Sequence, residues 1–236
     1  MLNRIGIIGD VHAEHLHLGA VLEFLSREQV DGVVCTGDLA DGTGDINTCV
    51  SLLKDHDVLT VRGNHDRWVL ENKARHVPHA HLLDSLERST IEFLNALPPE
   101  LNVDTPLGTL MLCHGVGSRD LQKIWPGTLK MPAERSVALD KIIAQGKYRF
   151  MINGHLHYRT LIHFEAFTLL NAGTLRGDHH PGFSILNVAE NNVTGFELLP
   201  TIHAVKTHSL RPNAATQVFK NTQHFDDCWE PVTLYA

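Results

Sequence analysis

At 236 residues, 43% of them apolar and 20% charged, the chain is long enough for one α/β domain with a sizeable core. Its formal charge of −7 argues against a dedicated polyanion binder, so a nuclease or other nucleic-acid partner is not expected. No apolar run approaches the roughly 20 residues that a membrane span needs. Four cysteines without paired spacing, and an N-terminus that enters a strand without a charged-then-apolar leader, predict a reduced, cytoplasmic setting. Seventeen histidines are the unusual count, and they ask for metal or proton chemistry.

The first predicted element is a strand over 4–8, which stops at Gly9 and presents Asp10 and His12. Positions i and i+2 of an extended segment point the same way, so both side chains can reach one point. A helix over 16–29 carries Leu18, Val21, Leu22 and Leu25 on one face. A strand over 32–36, apolar on both faces as in a covered parallel sheet, leads to Gly37-Asp38. The turn-rich stretch 41–45 precedes a helix over 46–56, and a strand over 58–62 ends at Gly63-Asn64-His65-Asp66. This βαβαβ opening predicts parallel strands with right-handed crossovers, and a site beyond their carboxyl ends.

Residues 67–100 change character. Segments 67–75 and 84–97 look helical, split by a His/Pro stretch over 76–81 and stopped by Pro98-Pro99, so the region reads as a helical insertion. A strand over 109–113 closes on His114, a loop over 115–132 carries Arg119, and a helix is expected over 133–145. A strand over 150–153 closes on Gly154-His155-Leu156-His157, and short strands follow at about 161–164, 167–171, 182–188 and 193–199. The expected organisation is one domain over 1–200, with the insertion at 67–100. A tail over 201–236 then packs on the domain or on a partner.

Five apolar runs thus end in glycine-flanked residues of metal-binding type: Asp10, His12, Asp38, Asn64, His114, His155 and His157. Hard oxygens mixed with imidazoles suit Mn, Fe, Zn, Ni or Co, and not calcium or a thiolate site. Seven ligands exceed one tetrahedral ion but match two ions sharing a carboxylate. Such a pair, about 3.5–4 Å apart, can clamp the oxygens of a phosphoryl group. The glycines would let the backbone turn sharply where each strand ends.

Asp10-Val11-His12, Gly37-Asp38-Leu39-Ala40-Asp41, Gly63-Asn64-His65-Asp66, His114 and Gly154-His155-Leu156-His157 stand complete and in order. They resemble the motifs of the calcineurin-like metallophosphoesterases, and most of all the small bacterial and archaeal phosphodiesterase branch. The motifs cover residues 9–157. The resemblance implies a four-layer αββα sandwich, two packed β-sheets flanked by helices. It implies two divalent transition-metal ions, manganese foremost: one held by Asp10, His12 and His157, the other by Asn64, His114 and His155, with Asp38 bridging. It further implies that His65 faces the leaving group as a general acid or transition-state stabiliser, that Asp41 orients His65, and that Asp66 supports the loop. The implied reaction is hydrolysis of a small phosphorylated substrate by in-line attack of a metal-bridging hydroxide.

Gly42 stands where the protein-phosphatase branch carries an arginine after the second motif. A diesterase acting on nucleotides or other small diesters is therefore expected ahead of a monoesterase or Ser/Thr-type protein phosphatase. A metal-bearing, non-catalytic scaffold is the competing class. Arg67, Arg119 and Arg176 are candidate phosphate contacts. His81 and most other histidines default to solvated or capping roles, and Asp178-His179-His180 lacks the partner spacing for a third metal site.

Overall fold

The computed structural model describes residues 1–177 and 179–236. In chain order these form β1 (Arg4–Ile8), α1 (His15–Arg27), β2 (Gly32–Cys35), α2 (Ile46–Asp55), β3 (Leu59–Thr60), α3 (Asn64–Leu70), α4 (Arg88–Ala96), β4 (Glu100–Thr105), β5 (Gly108–Cys113) and α5 (Val137–Gln145). β6 (Tyr148–Asn153), β7 (Arg159–Phe164), β8 (Phe167–Ala172), β9 (Gly182–Asn187), β10 (Asn192–Glu197), β11 (His203–Ser209), β12 (Val218–Phe219) and β13 (Val232–Thr233) follow.

Alternation along the strands decides the layering. Successive strand side chains point to opposite faces, so an apolar run can feed two cores at once. In β1, Ile5 and Ile7 join a core between two sheets, while Ile8 joins the core under α1 and α2. In β5, Leu110 and Leu112 face that same inter-sheet core, while Met111 and Cys113 pack outward against Leu139 of α5 and Trp125. The result is the expected αββα sandwich. One sheet runs β11-β10-β9-β1-β2-β3 and the other β12-β7-β8-β6-β5-β4, with β13 also on β7. β1, β2 and β3 are parallel, as are β5, β6 and β8, so their carboxyl ends open on one side of each sheet.

Several element bounds differ from expectation for local reasons. The helix after the third strand starts at Asn64, inside the ligand motif, because the Asp66 carboxylate accepts the Gly63 N–H at 2.9 Å and caps it there. It stops at Leu70, and Asn72 and Ala74 follow at positive φ. The second expected helix of the insertion is a short 3₁₀ turn at Leu83–Ser85 followed by α4. α5 begins at Val137 because Ser136 caps it, while Glu134 pairs with Trp125. β4, not expected, forms an antiparallel hairpin with β5. From the tail, β11 extends the first sheet beside β10, and β12 and β13 flank β7 in the second. Among the described residues, no helix is long and apolar enough to cross a membrane.

Candidate metal centre

Asp10 and His12 leave β1, Asp38 follows β2, Asn64 opens α3, His114 follows β5, and His155 and His157 follow β6. The seven converge from both sheets. Ligand atoms of Asp10, His12 and His157 lie within 4.8 Å of one another, as do those of Asp38, His114 and His155. Asn64 joins the second trio, its Oδ1 lying 3.0 Å from Nε2 of His114. A further grouping, His12, Asp38 and His65, sits between the two trios.

His12, His114, Asp10 and Asp38 are fixed from behind. The His12 Nδ1–H donates to the carbonyls of Ala40 and Asp41 at 3.1 and 3.0 Å, and the His114 Nδ1–H donates to the Thr36 carbonyl at 2.8 Å. A neutral imidazole then carries its lone pair on Nε2. The His12 Nε2 faces Nε2 of His157 at 3.1 Å, and the His114 Nε2 faces Oδ2 of Asp38 at 3.2 Å. Asp10 accepts the His155 N–H at 2.8 Å and the Thr36 hydroxyl at 3.0 Å, and Asp38 accepts the His65 N–H at 2.8 Å. The Nε2 lone pairs of His12 and His114 thus face into the site beside the Asp10 and Asp38 carboxylates, a set of donors that suits cations. The donor set fits two divalent ions.

The electrostatics agree. Burial drags His12 and His155 down to about 4 and His157 to about 3, which keeps these rings neutral ligands at pH 7. Burial, against the attraction of His114 and with the repulsion of Asp38, pushes the Asp10 carboxyl up to about 7. Burial opposes charging of His114 too, yet Asp38 and Asp10 raise it to about 10, so that without a metal a proton takes the cation's place.

His65 presents Nδ1 to Oδ2 of Asp41 at 2.8 Å and Nε2 toward Asp38, 4.0 Å away. Burial works against its protonation, but the Asp41 hydrogen bond and the Asp38 charge raise its pKa above the ordinary 6.5. Sequence reasoning missed what holds Asp41. Arg75 grips both its oxygens, Nη1 to Oδ1 at 2.8 Å and Nη2 to Oδ2 at 2.9 Å. The backbone N–H of His81 donates to Oδ1 at 2.9 Å, and Nδ1 of His81 accepts the Asp41 N–H at 2.9 Å. Arg75 in turn donates to the carbonyls of Lys73 and His81. No spacing rule points to Arg75, which lies in an irregular turn far from any motif. Asp66 accepts the N–H groups of Leu39 and Ala40 at 2.7 and 3.0 Å besides that of Gly63, which ties the second motif to the third.

The three candidate phosphate arginines part company. Arg176 lines a cavity of about 260 Å³ beside His12, together with Asp41, Gly42, Pro78 and His79. Arg67 is taken up by Asp120 through a bidentate pair at 2.6 and 3.1 Å, with Glu71 adding a third contact. Arg119 is exposed and lines a separate surface hollow with Gln122, Arg135 and Lys141. The His179 ring meets His157 edge-on with centroids 5.2 Å apart, while Asp178 lies outside the described residues.

Two packed mixed sheets whose strand ends pool two metal-ligand trios and an Asp-His pair define a metallophosphoesterase sandwich. The family model described as the calcineurin-like phosphoesterase superfamily domain matches residues 4–191, and the chain belongs to that superfamily. An uncharacterized protein of Methanocaldococcus jannaschii is 30% identical over 103 residues, which covers 41% of this chain and only 42% of that curated relative. Among solved structures, YfcE, a phosphoesterase from E. coli, shares the fold at a TM-score of 0.55 and 16% identity, over 88% of this chain and 100% of that one. An archaeal phosphodiesterase matches at 0.54 and 16%, over 83% and 99%. Zinc-complexed Vps29 from Entamoeba histolytica matches at 0.54 and 17%, over 88% and 99%.

Proposed function

We propose that the protein is a dinuclear-metal phosphodiesterase acting on nucleotides or other small phosphodiesters. The observation that carries this reading is the convergence of imidazoles and carboxylates from two sheets, with the His12 and His114 tautomers fixed by backbone carbonyls. Asp10, His12 and His157 would hold one ion, Asn64, His114 and His155 the other, and Asp38 would bridge them. Two divalent ions, manganese foremost among Mn, Fe, Ni, Zn and Co, supply there an activated water for in-line attack and positive charge for the phosphoryl oxygens. His65 carries a proton on Nε2 when charged, and hands it to the departing ester oxygen as the P–O bond breaks. Asp41 keeps the ring turned so that Nε2, and not Nδ1, faces the site. The cavity between His12, Arg176 and Pro78 seats the organic part of a small substrate.

Residues 1–200 would form the catalytic unit, with 67–100 inserted and 201–236 packed on it; the pairing of β11 with β10 and of β12 and β13 with β7 supports this division. Four free cysteines, three of them buried, support a reduced, cytoplasmic setting.

The test is hydrolysis of bis-p-nitrophenyl phosphate against p-nitrophenyl phosphate, after EDTA treatment and with each metal added back. Metal-restored turnover that prefers the diester and vanishes in Asp38→Ala is the expected result. Faster monoester turnover would replace the diesterase with a phosphatase, and no turnover in folded, metal-loaded protein would leave a binding scaffold.

A further inference from the structure

A second cavity, of about 560 Å³, opens where the outer strands of the two sheets meet. None of the metal-centre residues lines it. β7 contributes His163, β11 contributes Lys206 and His208 from alternate positions and hence one face, and Arg211, Trp229 and Thr233 close the rest. The chain as a whole is acidic, yet Glu230 is the one carboxylate in the lining. Among the described residues, neither Lys206 nor Arg211 forms an ion pair; the Lys206 amine reaches only the Thr233 hydroxyl, at 3.3 Å. His163 is 3% exposed, and its Nδ1 has no hydrogen-bond partner.

The chemistry of an occupant can be read from the walls. An ammonium and a guanidinium in one lining, both exposed, with the Ser209 hydroxyl beside them, suit the oxygens of a phosphate. Pro231 and Val232 add apolar surface, and the volume lies within the range of small-molecule sites. We infer that this seam cavity binds a phosphate-bearing small molecule, its anionic group against Lys206 and Arg211 and its organic part against Pro231 and Val232. The site is independent of the catalytic reading, since it shares no residue with the metal centre.

Calorimetric titration of the metal-loaded protein with 5′-AMP, orthophosphate and adenosine tests this, using wild type, Asp38→Ala and the double variant Lys206→Met/Arg211→Met. The Asp38→Ala protein should keep one AMP site that orthophosphate displaces. The double variant should bind AMP at that site about tenfold or more weakly, because two charge-assisted contacts are gone. Its hydrolysis of bis-p-nitrophenyl phosphate should match wild type. Three results would each overturn the inference: equal AMP affinity at that site with and without the two cations, adenosine binding as tightly as AMP, or no AMP binding to Asp38→Ala.

Discussion

His12, Asp38, Asp41, His155 and His157 all sit at positive φ, between 46° and 69°. Side chains other than glycine adopt this region at a cost that the surroundings must hold, and such residues gather at functional sites. Of the glycines beside them, Gly37 makes the sharp turn expected, at φ 89°, while Gly63 and Gly154 serve close approach. Gly63 has φ −86°, which any residue tolerates, but a Cβ there would lie 2.1 Å from Oδ1 of Asp38. A Cβ on Gly154 would lie 2.1 Å from Oδ1 of Asp10. At these two positions the positive φ falls on neighbouring ligands and the glycine supplies the space. Behind them, the Asp41 carboxylate is 1% exposed and shared between His65 and Arg75. Burial tends to raise its pKa, but the His65 and Arg75 contacts hold it below the usual carboxylate range, so it stays an anion that keeps the His65 ring turned. Arg75 is a positioning residue for that ring. Arg75→Met should lower kcat for a diester by about 10–100-fold, the usual cost of losing an outer-shell partner, with KM little changed. The deficit should be larger for an alkyl leaving group than for p-nitrophenolate, which needs no proton. Arg75→Lys should recover part of it. A uniform loss across leaving groups would show that Arg75 only holds the fold.

At the scale of elements, the ligand-bearing strands were legible and the strands that close the sheets were not, for one physical reason. β1, β2, β5 and β6 are covered on both faces, so they read as apolar runs that break at a polar ligand. β4 is half exposed, with only Val103 and Thr105 buried, and its Glu-Leu-Asn-Val alternation at a sheet edge is weak. β11 is mostly exposed and owes its strand to pairing with β10, a long-range contact that no local pattern announces. Arg75 and His81 were out of reach likewise, since an irregular segment acquires its place only from the body it packs on. Helix starts, by contrast, follow local chemistry. Ser136 is 2% exposed, and its hydroxyl accepts the Leu139 N–H at 3.2 Å, which starts α5 at Val137, inside a longer amphipathic pattern. Ser136→Ala should cost about 1 kcal/mol, read as a shift of the urea midpoint at unchanged slope. A midpoint equal to wild type would mean that Trp125 and Glu134, and not the cap, decide where α5 begins.

At the scale of the whole molecule, the tail brings the two sheets together around a buried, titratable ring. His163 lies in β7 between Thr168 of β8 and Val218 of β12, with Lys206, His208 and Arg211 lining the same cavity. Burial first, then Arg149 and His208, pull its pKa below the ordinary 6.5. The sign of the linkage follows. Above 6.5 the ring is neutral in both folded and unfolded chains and adds no slope. As pH falls through 6.5 the unfolded chain takes up a proton that the folded one refuses, so stability declines with acid until the lower folded pKa is reached. In phosphate-free buffer, the urea midpoint of wild type should therefore fall faster below 6.5 than that of His163→Gln, which cannot titrate. Parallel curves would mean that the folded cavity accepts the proton as readily as water does. Adding orthophosphate should shrink the difference, because an anion between Lys206 and Arg211 offsets the cations that oppose charging of the ring. The acid slope of the fold and the occupancy of the seam are then one property, measured from two directions.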